Sequence, residues 1–239
     1  MIRSKSPEQF LMESTVVSEN FPLLNAAETE TLDWLLSVAI EQDFQPEEKI
    51  LDDQSWGNAV YFIVSGWVKA RRFYNENPTT LSIRGRGDFF GETAILDEPP
   101  RATEMITLSE TKVISISAQR FIQTLFQDSQ LHHKLLQITV RRVRQMDMRL
   151  QLRHHPPVVK LASTLINLAE NYGKPTEEGM EILLIPETDL ADISDLSLEE
   201  TQKYLSKFQN KGWLELNQGE KTLSITNMRQ LTHLSTGTI

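Results

Sequence analysis

Between Phe21 and Ser117 the apolar residues come in short runs cut by Gly, Asn and Pro. NAVYFIVSGWVKARRFY, from Asn58 to Tyr74, reads as a strand, a glycine turn at Gly66 and a second strand. TTLSIRGRGDFFGE, from Thr79 to Glu92, adds another strand and a glycine-rich turn. Short strands at regular spacing predict an antiparallel barrel or roll. From about Ala118 to Leu152 the period changes to that of a helix. Within it Leu136, Val140, Val143, Asp147 and Leu150 fall at spacings of four, three, four and three, a coiled-coil seam. That seam predicts a parallel helix pair across a two-fold axis, with Arg141, Arg142, Arg144 and Arg149 as a solvated belt.

The run His154–Pro157 ends this helix, because proline lacks an amide hydrogen and turns the preceding residue away from helix. Beyond this hinge the pattern predicts a helix over Val158–Asn171, a Gly/Pro-containing loop, and two short helices within Glu187–Lys211. A hairpin, WLELNQGEKTLSIT, follows and turns at Asn217–Gly219. Helix, turn, helix and wing is the layout of a winged DNA-binding module. The expected organisation is therefore α+β: an N-terminal extension over 1–20, a β-roll over 21–117, a dimerisation helix and hinge over 118–155, and a winged helix-turn-helix over 156–239.

Bulk properties narrow the function. The 239 residues carry a formal net charge of -9, so nothing in the overall charge invites a polyanion or an anionic membrane. The absence of cysteine removes disulfides, thiolate metal sites and cysteine nucleophiles. The first twenty residues lack the apolar core of a signal peptide, and no apolar run is long enough to span a bilayer. A soluble, cytoplasmic protein is expected. No nucleophile elbow, P-loop, zinc motif or dinucleotide fingerprint occurs, so an enzyme is not expected. His132 and His133 diverge by about 100° on a helix and do not share a metal. Trp34, Trp56, Trp67 and Trp213 are read as core residues, and His154 and His155 as surface-loop histidines.

The chemistry concentrates in FGETAILDEPPRAT, Phe90–Thr103, where three carboxylates precede one arginine. A cyclic phosphodiester carries one delocalised charge that a guanidinium meets with paired donors. Gly91 lets the backbone approach, and the amides of Ala102 and Thr103 form an anion-binding nest. Pro99 and Pro100 stiffen the loop. This stretch resembles the phosphate-binding cassette of cyclic-nucleotide-binding domains, F-G-E-x-A-x-x-x-x-x-P-R-x-[AT], and YFIVSG and GDFFGE match two further signatures of that β-roll. With the long helix and the winged module, the chain past about residue 20 resembles the CRP/FNR family, the cyclic AMP receptor protein and its relatives. The resemblance implies that Glu92 takes a ribose hydroxyl and Arg101 the phosphate. A structural Glu92–Arg101 salt bridge, in a regulator or scaffold that has lost its ligand, is the alternative.

The resemblance also bears on which nucleotide binds. Cyclic AMP-binding members use a Thr-Ser pair on the long helix to meet adenine; the matching positions here are Met146 and Asp147. A carboxylate only accepts hydrogen bonds, and guanine's edge offers two donors where adenine offers one. Cyclic di-GMP and cyclic AMP therefore both stand as ligands, with Asp147 tilting towards guanine. Arg142 and Arg144 are read as partners of Asp147 or the ligand, and Arg71, Arg72, Arg84 and Arg86 as further phosphate candidates. A salt bridge that sets helix register is the other reading of Asp147.

The winged module is unusual in charge. Glu187, Asp189, Asp192, Asp195, Glu199 and Glu200 occur between Glu187 and Gln202 with no Lys or Arg among them. From Pro156 to Ile239 seven Lys plus Arg face twelve Asp plus Glu, a net of -5. Most non-specific DNA affinity comes from cations that neutralise phosphates. Weak autonomous DNA binding is expected, with Ser197, Glu199, Thr201 and Lys203 as the candidate contacts. The position where DNA-binding relatives usually carry an arginine is Leu198. An exposed acidic helix suits docking onto a basic protein surface, such as another regulator; a direct, cyclic AMP-dependent DNA-binding factor is the alternative. Leu190, Ile193, Leu205 and Phe208 are the expected core of the module, and Asp195 occupies its tight turn.

Overall fold

The computed structural model describes residues 20–52, 58–97 and 103–235. The N-terminal extension, Trp56, Pro99, Pro100, Arg101 and Ala102 thus lie outside the described residues. Among those described, twelve strands and eight α-helices follow one another, and the chain divides into two compact units. The first runs up to Val68 and resumes over Arg84–Arg144; the second takes Lys69–Ile83 and the chain from Gln145 onward.

In the first unit, a 3-10 turn at Leu24–Ala26 and helix α1, Thr29–Ser37, precede the strands. Along the chain these are β1 (Ile40–Phe44), β2 (Lys49–Leu51), β3 (Ala59–Ser65), β4 (Val68–Tyr74), β5 (Asn77–Arg84), β6 (Phe89–Phe90), β7 (Glu104–Thr107) and β8 (Thr111–Ser117), of which β4 past Val68 and β5 up to Ile83 fall in the second unit. Two four-stranded sheets result, ordered β1-β8-β3-β6 and β2-β7-β4-β5. In the first sheet the pairings are antiparallel, with Phe62 opposite Ile114. Alternation puts Val60 and Phe62 inward, where Phe21 meets Phe62 edge-on at 5.5 Å and the tilted Phe89 ring lies 5.7 Å from it. The expected roll is present. Gly66 has φ +91°, and a Cβ there would lie 2.4 Å from the carbonyl oxygen of Glu110, so only glycine makes this turn.

The helical stretch expected from Ala118 to Leu152 is two helices, α3 (Ala118–Gln127) and α4 (Ser129–Leu152). Asp128 makes the break. Its Oδ1 accepts from the amides of Gln130 and Leu131, each at 2.9 Å, which caps α4, while Oδ2 accepts from Glu28 N at 2.8 Å. Burial pushes this carboxyl up, but the amides of Leu131, Glu28 and Gln130 and the Thr31 side chain outweigh it and hold it below the ordinary value. A depressed carboxylate stabilises the fold above its unfolded pKa of about 3.9 and loses that contribution as pH falls through the lower, folded value. Asp128→Ala is expected to cost about 1–2 kcal/mol at neutral pH. The gap between variant and parent in urea titrations should close on acidification below that range.

The seam on α4 is on the surface of the chain: Leu136, Val140, Val143 and Leu150 are all exposed. Trp34, read as a core residue, is 39% exposed on α1, so that expectation is corrected. No helix among the described residues is long and apolar enough to cross a membrane.

The second unit holds the β4–β5 hairpin segment and the C-terminal module. Asn75 and Glu76 both have positive φ, 50° and 70°, which suits a two-residue hairpin turn. Helix α5 (Pro157–Tyr172) starts on proline, whose missing amide hydrogen costs nothing there. After it come β9 (Lys174–Thr176), β10 (Gly179–Leu183), α6 (Glu187–Ser194), α7 (Leu198–Asn210), β11 (Leu214–Asn217), β12 (Thr222–Ile225) and α8 (Met228–Ser235). The wing extends further than expected: β9 and β10 join β11 and β12 in one sheet, ordered β11-β12-β10-β9, where a plain loop was anticipated. Leu190, Ile193, Leu205 and Phe208 are buried, as expected. Asp195 takes the left-handed conformation between α6 and α7, φ 54° and ψ 51°.

Candidate functional site

Gly91, with φ +98°, turns the chain from β6 into α2 (Thr93–Leu96), a conformation that disfavours any side chain. That turn delivers Glu92, only 7% exposed, to the start of α2, where its carbonyl accepts from Ile95 and Leu96 N. Its carboxylate meets Arg142 of α4: Nη1 donates to Oε1 at 2.6 Å. The same guanidinium donates through Nη2 to Asp88 Oδ1 at 2.5 Å and to the Phe89 carbonyl at 2.8 Å, and it lies 4.3 Å above the Phe89 ring. Arg84 donates to the Phe89 carbonyl at 2.5 Å and approaches Asp88 to 3.8 Å. Two arginines and two carboxylates thus sit together beside the cassette. Glu92 Oε2 is buried and has no hydrogen-bond partner among the described residues. A buried carboxylate oxygen with no donor is costly, and such an atom accepts readily from a hydroxyl brought by a ligand.

Arg142 was read as a partner for Asp147 or the ligand; its guanidinium is held by Glu92 and Asp88. That pairing spans fifty residues, and the seam pattern gave no signal for it. Thr103, the described end of the cassette, is half-buried just before β7. Arg144, Met146 and Asp147 are exposed on α4, Met146 to 65%. Of the other arginines considered for phosphate, Arg86 donates to Asn20, and Arg71 and Arg72 lie over the rings of Phe73 and Tyr74. No cluster of His, Cys, Asp or Glu suited to a metal ion occurs among the described residues.

Of the six acids of the helix-turn-helix, Glu187, Asp195 and Glu199 are exposed, Asp192 and Glu200 are half-buried and Asp189 is buried, so the expected acidic face is present in part. Asp189 is buried and accepts from Lys69 and from the Thr80 hydroxyl, and Asp192 accepts from the Thr80 amide at 2.7 Å. Asp195 pairs with Lys160 at 3.1 Å, Glu187 accepts from Gln202, and Glu200 closes a capping box with Ser197. Thr201 is also corrected as a DNA contact: it is fully buried, and its hydroxyl donates to the Ser197 carbonyl. Ser197, Glu199 and Lys203 remain exposed on α7, as does Leu198.

Comparison with known proteins agrees with this layout. Residues 41–128 match the cyclic nucleotide-binding domain model, and residues 159–234 match the Crp-like helix-turn-helix domain model. A CRP-like cAMP-activated global transcriptional regulator of Mycobacterium tuberculosis is 27% identical over 179 residues, covering 73% of this chain and 79% of the relative. The cyclic AMP receptor protein of Thermus thermophilus is 24% identical, covering 83% and 90%. Among solved structures, FixK2 from Bradyrhizobium japonicum superposes with a TM-score of 0.70 at 20% identity, covering 82% of this chain and 97% of that one.

Proposed function

This chain belongs to the CRP/FNR family of cyclic-nucleotide-binding transcription regulators, and from that premise we propose that it is a homodimeric receptor whose nucleotide binds between Glu92 and Arg101. The observation that carries the reading is Glu92 itself. One of its oxygens is anchored by Arg142 while the other is buried without a donor among the described residues, which supports its reading as the acceptor for a ribose hydroxyl. Arg101, Ala102 and Thr103 supply the phosphate end in this reading, and Gly91 the close backbone approach. In this reading the exposed apolar stripe of α4 is the dimer seam, and Met146 and Asp147 are the positions that meet the base.

Cyclic AMP and cyclic di-GMP are both candidate ligands in this reading, with Asp147 favouring a guanine. Proteins similar to this one include both kinds: the Mycobacterium regulator is named as cAMP-activated. A c-di-GMP responsive global regulator, CLP of Xanthomonas campestris, superposes with a TM-score of 0.64 at 19% identity, covering 83% of this chain and 99% of that one. Calorimetric titration with cyclic AMP, cyclic GMP and cyclic di-GMP, with Arg101→Ala as control, tests the proposal. Saturable heat from one nucleotide that vanishes in the variant supports it. No heat from any of the three leaves the ligand-free regulator as the reading.

Action through another regulator was motivated by exposed acids on α6 and α7. Among the described residues only Asp189 and Asp195 meet a cation inside the chain, and Glu187, Asp195 and Glu199 stay exposed, so docking onto a basic partner stays open; the Crp-like helix-turn-helix match supports direct contact with DNA beside it.

A further inference from the structure

The helix-turn-helix segment is acidic, yet it does not stand alone: the β4–β5 hairpin segment belongs to the same compact unit. The join is polar and specific. Lys69 Nζ lies 3.2 and 3.0 Å from the two carboxylate oxygens of Asp189, and the Thr80 hydroxyl donates to Asp189 Oδ1 at 2.5 Å. Lys69, Thr80 and Asp189 are all buried, at 8, 3 and 4% exposure. The Thr80 amide reaches Asp192 at 2.7 Å, and Arg149 of α4 ties the carbonyls of Leu81 and Ile193 together at 2.6 and 2.9 Å. A buried ion pair with these added hydrogen bonds holds one geometry, because separating the partners strands a charge away from water.

Two consequences follow for charge. Asp189 is buried and ion-paired, and Asp192 is half-buried against the Thr80 amide, on the helix that, in modules of this layout, crosses the nucleic-acid backbone. The segment Lys69–Ile83 also brings Lys69, Arg71 and Arg72 against a single acid, Glu76. Arg72 is exposed and Arg71 half-buried; each guanidinium lies over an aromatic ring, 5.2 Å for Arg71 on Phe73 and 5.4 Å for Arg72 on Tyr74, and both rings are about half exposed. On α7, Lys203 and Lys207 are exposed too.

We propose that the Lys69–Ile83 hairpin is the cationic arm of the helix-turn-helix module, docked through Asp189 and Asp192, and that Arg71 and Arg72 bind the phosphate backbone of duplex DNA. The inference rests on the reading of the module as DNA-binding, and it accounts for an acidic module meeting a polyanion: the missing cations are carried 84 or more residues upstream of Pro156.

The test uses the full chain without added nucleotide, so its outcome is independent of the ligand assignment. Binding to a random-sequence duplex of about 30 base pairs is followed by fluorescence anisotropy from about 50 to 200 mM salt. Arg72→Gln should weaken binding severalfold and reduce the slope of log K against log salt by about one. Asp189→Lys adds positive charge to the module, yet should weaken binding because it repels Lys69 and releases the arm; the exchanged pair Lys69→Asp/Asp189→Lys should restore it. An unchanged salt slope in Arg72→Gln overturns the proposal, as does tighter binding by Asp189→Lys. Capture of an acidic protein by the hairpin, with the duplex slope unaffected by Arg72→Gln, would assign the arginines to a protein partner instead.

Discussion

Arg142→Met is expected to destabilise the unit around the β-roll by about 2–3 kcal/mol, read as an earlier midpoint in urea. Removing one partner of a buried pair costs about 3–5 kcal/mol, and the lower figure reflects the partial exposure of Arg142 and Asp88, 22% and 20% at their side chains. The variant leaves Glu92 buried with neither oxygen paired among the described residues, takes the shared cation from Asp88, and removes the guanidinium from the Phe89 ring. The stem of methionine retains the apolar cover, so the loss reports charge rather than a cavity. Arg142→Met/Glu92→Gln should recover most of the stability, because a neutral amide has no stranded charge. A full loss in the double variant would show that Arg142 acts through Asp88 or through packing.

The second large effect concerns binding. Arg101→Ala is expected to weaken the cognate nucleotide by about 100- to 1000-fold. Each hydrogen bond to a charged group contributes about 1.5–3 kcal/mol, and a guanidinium meets a cyclic phosphate with two. Arg101→Lys should recover little of this, since an ammonium cannot reproduce the paired donors. Titration calorimetry at fixed salt measures the ratio directly. Equal affinity in parent and Arg101→Ala would place the ligand's phosphate elsewhere, with Arg84 as the neighbouring cation to examine next.

What could be read from the residues alone follows the range of the forces involved. Alternating apolar positions located the strands around Val60 and Phe62, and the turn residues Gly66 and Asp195 marked backbone conformations that few other residues tolerate. The cassette was legible because its Gly, Glu, Pro and Arg sit close together in sequence. The break at Asp128 was missed because the helical period continues across it, although an Asp that caps amides two and three residues on is a local signal that could have shown it. Likewise Arg142 looked like part of a solvated belt, and nothing near it in sequence announces Glu92. Asp189 and Asp192 of α6 were misread as surface acids for the same reason: their partners Lys69 and Thr80 lie 109 to 120 residues away. Helix α8 was missed although Met228, Leu231 and Leu234 carry a helical spacing that could have revealed it.

The cap at Asp128 has a mechanical consequence. A helix end whose amides are capped resists fraying more than one left open, and α4 is capped where its first amides and the Glu28 amide share one carboxylate. Without that carboxylate the first turn at Ser129 would open more readily, and α1 would lose its tether to the start of α4.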